Sequence, residues 1–144
     1  MAVKTFGLAF ILLLTQLLGC SADTTPQSEL EAAVERLQES LENKRNSAVM
    51  EQLHDDFSAQ QMYDRDWAKR TMTLLFLRHK NVRVLALSKQ SQIDPVYQNI
   101  GRTQAQIALT GAEGLIPDSA RHYSVELEWW RVDDQWLLAR LNWQ

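Results

Sequence analysis

The apolar residues of this chain change period once, near residue 80, and that change constrains the fold more than any other feature. Before it, Leu30, Ala33, Val34, Leu37 and Leu41 recur at the three- and four-residue spacing of one helix face. After it, Thr103, Ala105, Ile107 and Leu109 alternate with Arg102, Gln104, Gln106 and Thr110, the spacing of a half-buried strand. Helices followed by strands predict an α+β domain in which helices cover one side of an antiparallel sheet.

Ser28-Glu29-Leu30-Glu31 has the form of a capping box and sets the start of the first helix. Glu31, Glu35, Glu39 and Glu42 fall on its other faces and read as a solvated stripe. Asn46 caps a second helix running to about His54, with Val49, Met50 and Leu53 inward, closed by Asp55-Asp56-Phe57. A third runs from the cap Asp64 to about His79, and Trp67, Thr71, Met72, Leu74, Leu75 and Phe76 give it a broad apolar arc. Strands follow from Val82 to about Ile93, around Thr103–Thr110, from His122 to Val132 and from Trp136 to Trp143, with Gly111–Ala120 as a loop.

The last hairpin allows a register deduction, because a one-residue slip moves every side chain to the other face. A two-residue turn at Asp133-Asp134 sets Glu126 and Glu128 on the face of Leu141 and Ala139. A three-residue loop, Asp133-Asp134-Gln135, instead pairs Val125 with Trp143, Leu127 with Leu141, Trp129 with Ala139 and Glu128 with Arg140. The second arrangement is predicted. It leaves Trp130, Trp136 and Leu138 on the convex face beside Glu126, Glu128 and Arg140, an expected surface for a homodimer.

The amino terminus carries an address. Lys4 precedes an apolar run from Phe6 to Leu18. A helix of that length reaches about 20 Å, short of a ~30 Å hydrocarbon core, so it reads as a secretory signal. Leu17-Leu18-Gly19-Cys20 resembles the bacterial lipobox, with Leu18 bulkier than usual. The resemblance implies cleavage between Gly19 and Cys20, lipidation of Cys20 and, with Ser21 next, an outer-membrane, periplasm-facing anchor; inner-membrane retention is the alternative. Two or more acyl chains hold a protein stably. The expected organisation is 1–19 signal peptide, 20–27 lipidated tether and 28–144 domain.

Composition excludes other classes. A net charge of −3 from 15 Lys+Arg and 18 Asp+Glu argues against nucleic acid as a partner. One Cys and three His leave no disulfide and no expected metal site, and no cofactor is expected.

Three stretches together resemble the nuclear transport factor 2 family: Leu53–Phe57 closing the second helix, Asp64–Val82, and Trp129-Trp130-Arg131-Val132-Asp133-Asp134-Gln135-Trp136. The blend is similar to small lipoproteins of Gram-negative bacteria within it. The resemblance implies a cone-shaped, cystatin-like fold: three N-terminal helices packed on a curved, mainly antiparallel sheet. The family's isomerases use a Tyr of the first helix and carboxyls inside the cone. The first helix here has no Tyr and no matching Asp pair can be placed, so no catalytic residue is assigned.

Five residues are pocket candidates. His54 has Asp55 and Asp56 beside it, as a base with an orienting carboxylate would, though a plain helix end gives the same sequence. Tyr123 falls on the apolar strand face and points into the cone. Trp67 and Trp129 are aromatic groups for stacking a ligand, or simply core, and Tyr63 is a further pocket candidate. Leu115-Ile116-Pro117 reads as a loop tip covering the cone mouth, touching a partner or folding back. Residues 65–89 hold seven Lys or Arg and one Asp. That segment reads as a solvated face balanced by the five Glu of the first helix, or as a surface for anionic lipid or an acidic partner. The expected function is a lipid-anchored periplasmic binding or scaffolding domain whose partner is a small apolar ligand or an envelope protein. The alternative is a small hydrolase, isomerase or dehydratase acting inside the cone.

Overall fold

Thr25, three residues ahead of the expected cap, starts the first helix. Its hydroxyl accepts the Ser28 N–H while Ser28 Oγ accepts the Thr25 N–H, so the capping box is Thr25/Ser28 with Pro26 in the first turn. The structure, a computed structural model, describes residues 24–111 and 121–144. The signal, Cys20 and the Leu115-Ile116-Pro117 tip lie outside the described residues.

The elements are α1 (Pro26–Glu42), α2 (Asn46–Glu51), β1 (Leu53–Ala59), α3 (Arg65–Arg78), β2 (Val82–Ile93), β3 (Ile100–Gly111), β4 (Arg121–Val132) and β5 (Gln135–Trp143). The class is α+β, but the three helices are not consecutive. The second ends at Glu51, and Leu53–Ala59 is a strand rather than a helix end. Leu53 and Phe57 are both buried and four apart, a spacing that imitates a helix face. What makes the segment a strand is a partner far along the chain, since β1 pairs parallel to β5 through Leu53↔Leu138 and Ala59↔Leu141. The sheet order is β1-β5-β4-β3-β2, with every other pairing antiparallel.

The hairpin corrects the turn and keeps part of the register. Asp133 and Asp134 alone form the turn, both left-handed with φ of 47° and 61°, as a two-residue primed turn requires. Val125↔Trp143, Leu127↔Leu141 and Glu128↔Arg140 pair as expected, but Trp129 lies opposite Leu138, not Ala139. The ladder slips between Glu128 and Trp129, so Ala139 is the extra residue of a β-bulge. The bulge turns Trp136 and Leu138, each 2% exposed, into the core. The expected convex dimer face therefore loses both, leaving Trp130 as the one aromatic group of that set.

α1 lies against the inner face and along the edge strand β2. A Cβ added to Gly101 would sit 2.7 Å from Leu30 Cδ2, so only glycine admits the helix this closely. Gln27 Nε2 donates to the Ser91 carbonyl, Gln38 Nε2 donates to the Val84 carbonyl, and Glu42 accepts the Val84 N–H. These side chains occupy backbone groups that an open edge would offer to another chain. Glu42 is thus an edge cap, and the solvated-stripe reading does not hold for it. At the other end, Arg131 pairs with Glu29 at 2.8 Å and Trp136 Nε1 donates to the Pro26 carbonyl, fixing the hairpin to the helix start.

Candidate functional site

The five candidate residues do not converge. Trp129 is 0% exposed; its indole N–H donates to Thr103 Oγ1 at 3.2 Å, and Thr103 shares a 2.8 Å hydrogen bond with Ser91 Oγ. It fills the cone interior with Leu30 and Leu127 and stacks on no ligand surface. Tyr123 is opposite Ile107 on the inward face of β4, half-buried, as its alternation predicts.

His54 belongs to β1, not to a helix end. Its ring meets the Trp130 ring edge-on at 4.8 Å and Nδ1 accepts the Asp56 N–H. Neither neighbouring carboxylate orients it. Asp55 pairs with Arg65, and the nearest contact of Asp56 is its carbonyl accepting from Arg140. Arg140 in turn lies over the Trp130 ring at 4.7 Å, and Trp130 Nε1 donates to Glu128. These contacts brace the sheet around Trp130.

Tyr63 and Trp67 do come together, and a third ring joins them. Tyr63 stacks on Trp67 with centroids 4.4 Å apart. Trp143 lies 6.2 Å from Trp67 and 6.5 Å from Tyr63, inclined 11° to each. Trp143 was legible as inward-facing from the hairpin register, since it sits opposite Val125, but nothing local in sequence links it to residues 63 and 67.

The backbone around this stack is specific. After Ala59 the chain turns through Gln60 and Gln61, both left-handed with φ of 50° and 62°, and returns at Tyr63, whose N–H and carbonyl bond Ala59. Two adjacent non-glycine residues in that region cost about 1–2 kcal/mol each. Gln60 repays this by bonding the end of β5: its N–H donates to the Leu141 carbonyl and its side chain to the Trp143 carbonyl. The turn therefore locks Tyr63 and Trp143 into one assembly and leaves Met62 73% exposed beside it. Where β5 ends, Trp143 also lines an open depression of about 190 Å³ with Ala105, Gln106, Ser124, Val125 and Asn142 among others. Strained backbone of this kind collects at functional sites.

The electrostatics are those of a rim. Every ion pair among the described residues includes a side chain at least a quarter exposed. Asp94 accepts N–H bonds from Tyr97 and Val96 and pairs with Arg102, which holds its carboxyl down at about 2. Among the described residues no cluster of His, Cys, Asp or Glu has metal-binding geometry, and no helix is long and apolar enough to cross a membrane.

No protein-family model matches the chain, and no curated protein matches it in sequence. Solved structures do. An NTF2-like protein of unknown function from Pseudomonas putida superposes with a TM-score of 0.68 at 10% identity, over 82% of this chain and 84% of that one. A cystatin-like-fold protein from Caulobacter vibrioides gives 0.66 at 10%, over 81% and 86%. Bd1075 of Bdellovibrio bacteriovorus gives 0.69 at 10% over 81% of this chain, which spans only 40% of the length of Bd1075. At such identities the likeness concerns the fold, and this chain has the nuclear transport factor 2-like, cystatin-like fold.

Proposed function

We propose that the protein is a lipid-anchored binding domain of the outer membrane, facing the periplasm, and that the Tyr63–Trp67–Trp143 stack is where it meets a small apolar ligand or an envelope protein. The anchor reading rests on Leu17-Leu18-Gly19-Cys20, whose cysteine is the only one in the chain. The binding reading rests on one observation above all: three near-parallel rings held beside a turn with two left-handed glutamines. Aromatic faces offer large contact area at small entropic cost. Binding is favoured over chemistry because the cone interior is occupied by Leu30, Thr103 and Trp129, all fully buried, and their contacts are neutral.

The test places a photo-crosslinking amino acid at Met62 of the full chain in living cells. The expected result is a light-dependent adduct that weakens with Trp67→Ala and disappears with Cys20→Ser, which removes the anchor. Absence of any adduct, or an adduct indifferent to both substitutions, contradicts the reading.

A further inference from the structure

The charge of this chain is strongly segregated. Residues 65–89 hold seven of the 15 cations and one of the 18 acids, so an acidic protein carries one strongly basic segment. The five glutamates of α1 do not balance it. Glu29 pairs with Arg131, Glu39 with Arg45, Glu31 accepts from Gln27 and Glu42 caps the Val84 N–H; among the described residues only Glu35 pairs with a cation of the segment, Lys89 at 3.9 Å. Arg65 is taken by Asp55 and two carbonyls. Lys69, Arg70, Arg78, Lys80 and Arg83 make no ion pair among the described residues.

The same segment exposes its large aliphatic side chains. Of the apolar arc expected to bury α3, Met72 is buried and Trp67 and Phe76 pack half-buried against the core, with Ala68 the other buried residue of the helix. Leu74 is 55% and Leu77 79% exposed, and Leu85 and Leu87 follow on β2. Arg70, Leu74 and Leu77 follow at four- and three-residue spacing and Arg78 lies four beyond Leu74, so one arc of about 100° on the helix carries all four. Solvent-facing leucines between arginines on one helix are the pattern of a helix lying on a bilayer surface, with apolar groups in the acyl boundary and cations among the head groups.

We infer that α3, through Leu74 and Leu77 with Arg70 and Arg78, is a docking face for an anionic lipid bilayer. Charge complementarity favours this occupant, and the leucines favour a bilayer over an acidic protein, whose surface would leave them in water. The face adds a second contact to the lipid anchor and fixes how the domain is oriented on the membrane. It does not depend on the anchor, because its chemistry lies wholly within α3.

The test uses the full chain with Cys20→Ser and Leu77→Cys, so that position 77 carries the only thiol. An environment-sensitive fluorophore there is read in phosphatidylcholine vesicles, with and without phosphatidylglycerol, whose acyl chains carry bromine as quencher. A label at Glu39→Cys on α1 is the reference. The expected result is quenching at 77 that requires phosphatidylglycerol and is absent at 39. Arg70→Gln with Arg78→Gln, both exposed changes, should weaken the response about 30-fold at equal lipid. Quenching that is absent, equal without phosphatidylglycerol, unaffected by the two substitutions, or replaced by protection from an acidic polypeptide overturns the inference. Because this variant lacks Cys20, failure here and failure of the lipid anchor are separate results.

Discussion

The indole N–H of Trp129 donates to the Thr103 hydroxyl at 3.2 Å with both residues at 0% exposure, a polar contact between strands β4 and β3 in the buried core. Thr103→Val keeps the shape and removes the acceptor. A buried donor left without a partner costs about 1–3 kcal/mol. The expected outcome is that loss in urea unfolding, and a smaller loss when the same change is made in a Trp129→Phe background, where the indole donor is gone and only the Ser91 contact is lost. Equal losses in the two backgrounds would show that the bond contributes nothing.

Asp94 gives the fold an acid limb. Its carboxyl titrates near 2 because the Tyr97 and Val96 N–H groups and Arg102 favour the charged form. A carboxyl with a lowered folded pKa stabilises the fold above its unfolded value, about 3.9, and that contribution fades as pH falls toward 2. Asp94→Asn should therefore flatten the stability profile between about pH 4 and pH 2. Denaturant midpoints measured across that range check it; an unchanged slope contradicts the assignment.

The Asp133-Asp134 turn places two non-glycine residues in the left-handed region. Asn-Gly is the sequence such a turn prefers. Asp133→Asn with Asp134→Gly should raise stability by roughly 1 kcal/mol, even though it removes the contact from Arg131 to Asp134, whose side chain is largely exposed. Thermal unfolding reads the result, and a lower midpoint would mean that the aspartates make contacts of greater worth than the relieved strain.

Gly101 tests how closely α1 seats on the sheet. Its missing Cβ leaves the space that Leu30 Cδ2 occupies, and Leu30 is fully buried, so an added methyl forces that side chain to shift within the core. Gly101→Ala should cost about 1–3 kcal/mol by overpacking. Gly101→Ala combined with Leu30→Val should recover part of it, which urea unfolding of the pair would show.

Much of this fold is written in local pattern. The inward set of α1, the Asp64 cap of α3 and the existence of strands from residue 82 onward all follow from spacing, and the structure has them. Where the reading departs, the deciding contact is distant in sequence. β1 is a strand because β5 lies beside it, 85 residues beyond Leu53 at Leu138. The Ala139 bulge is invisible in a pattern that assumes strict alternation, although it solves the same problem, keeping Glu128 away from the core side of Leu141. Of the candidate residues, Tyr63 and Trp67 meet, but their partner Trp143 is brought in by the Gln60 turn. Leu74 and Leu77 show the limit of apolar content as a guide to burial, since their helix offers more apolar surface than the sheet covers.

The claim on which the proposed location and role depend is chemical modification at position 20. The amino-terminal peptide of the protein, recovered from membranes of cells producing the full chain, settles it by mass. The expected peptide begins at Cys20 and carries diacylglycerol on sulfur and an acyl group on the new amino terminus. An amino terminus at Met1, or an unmodified Cys20, would contradict it.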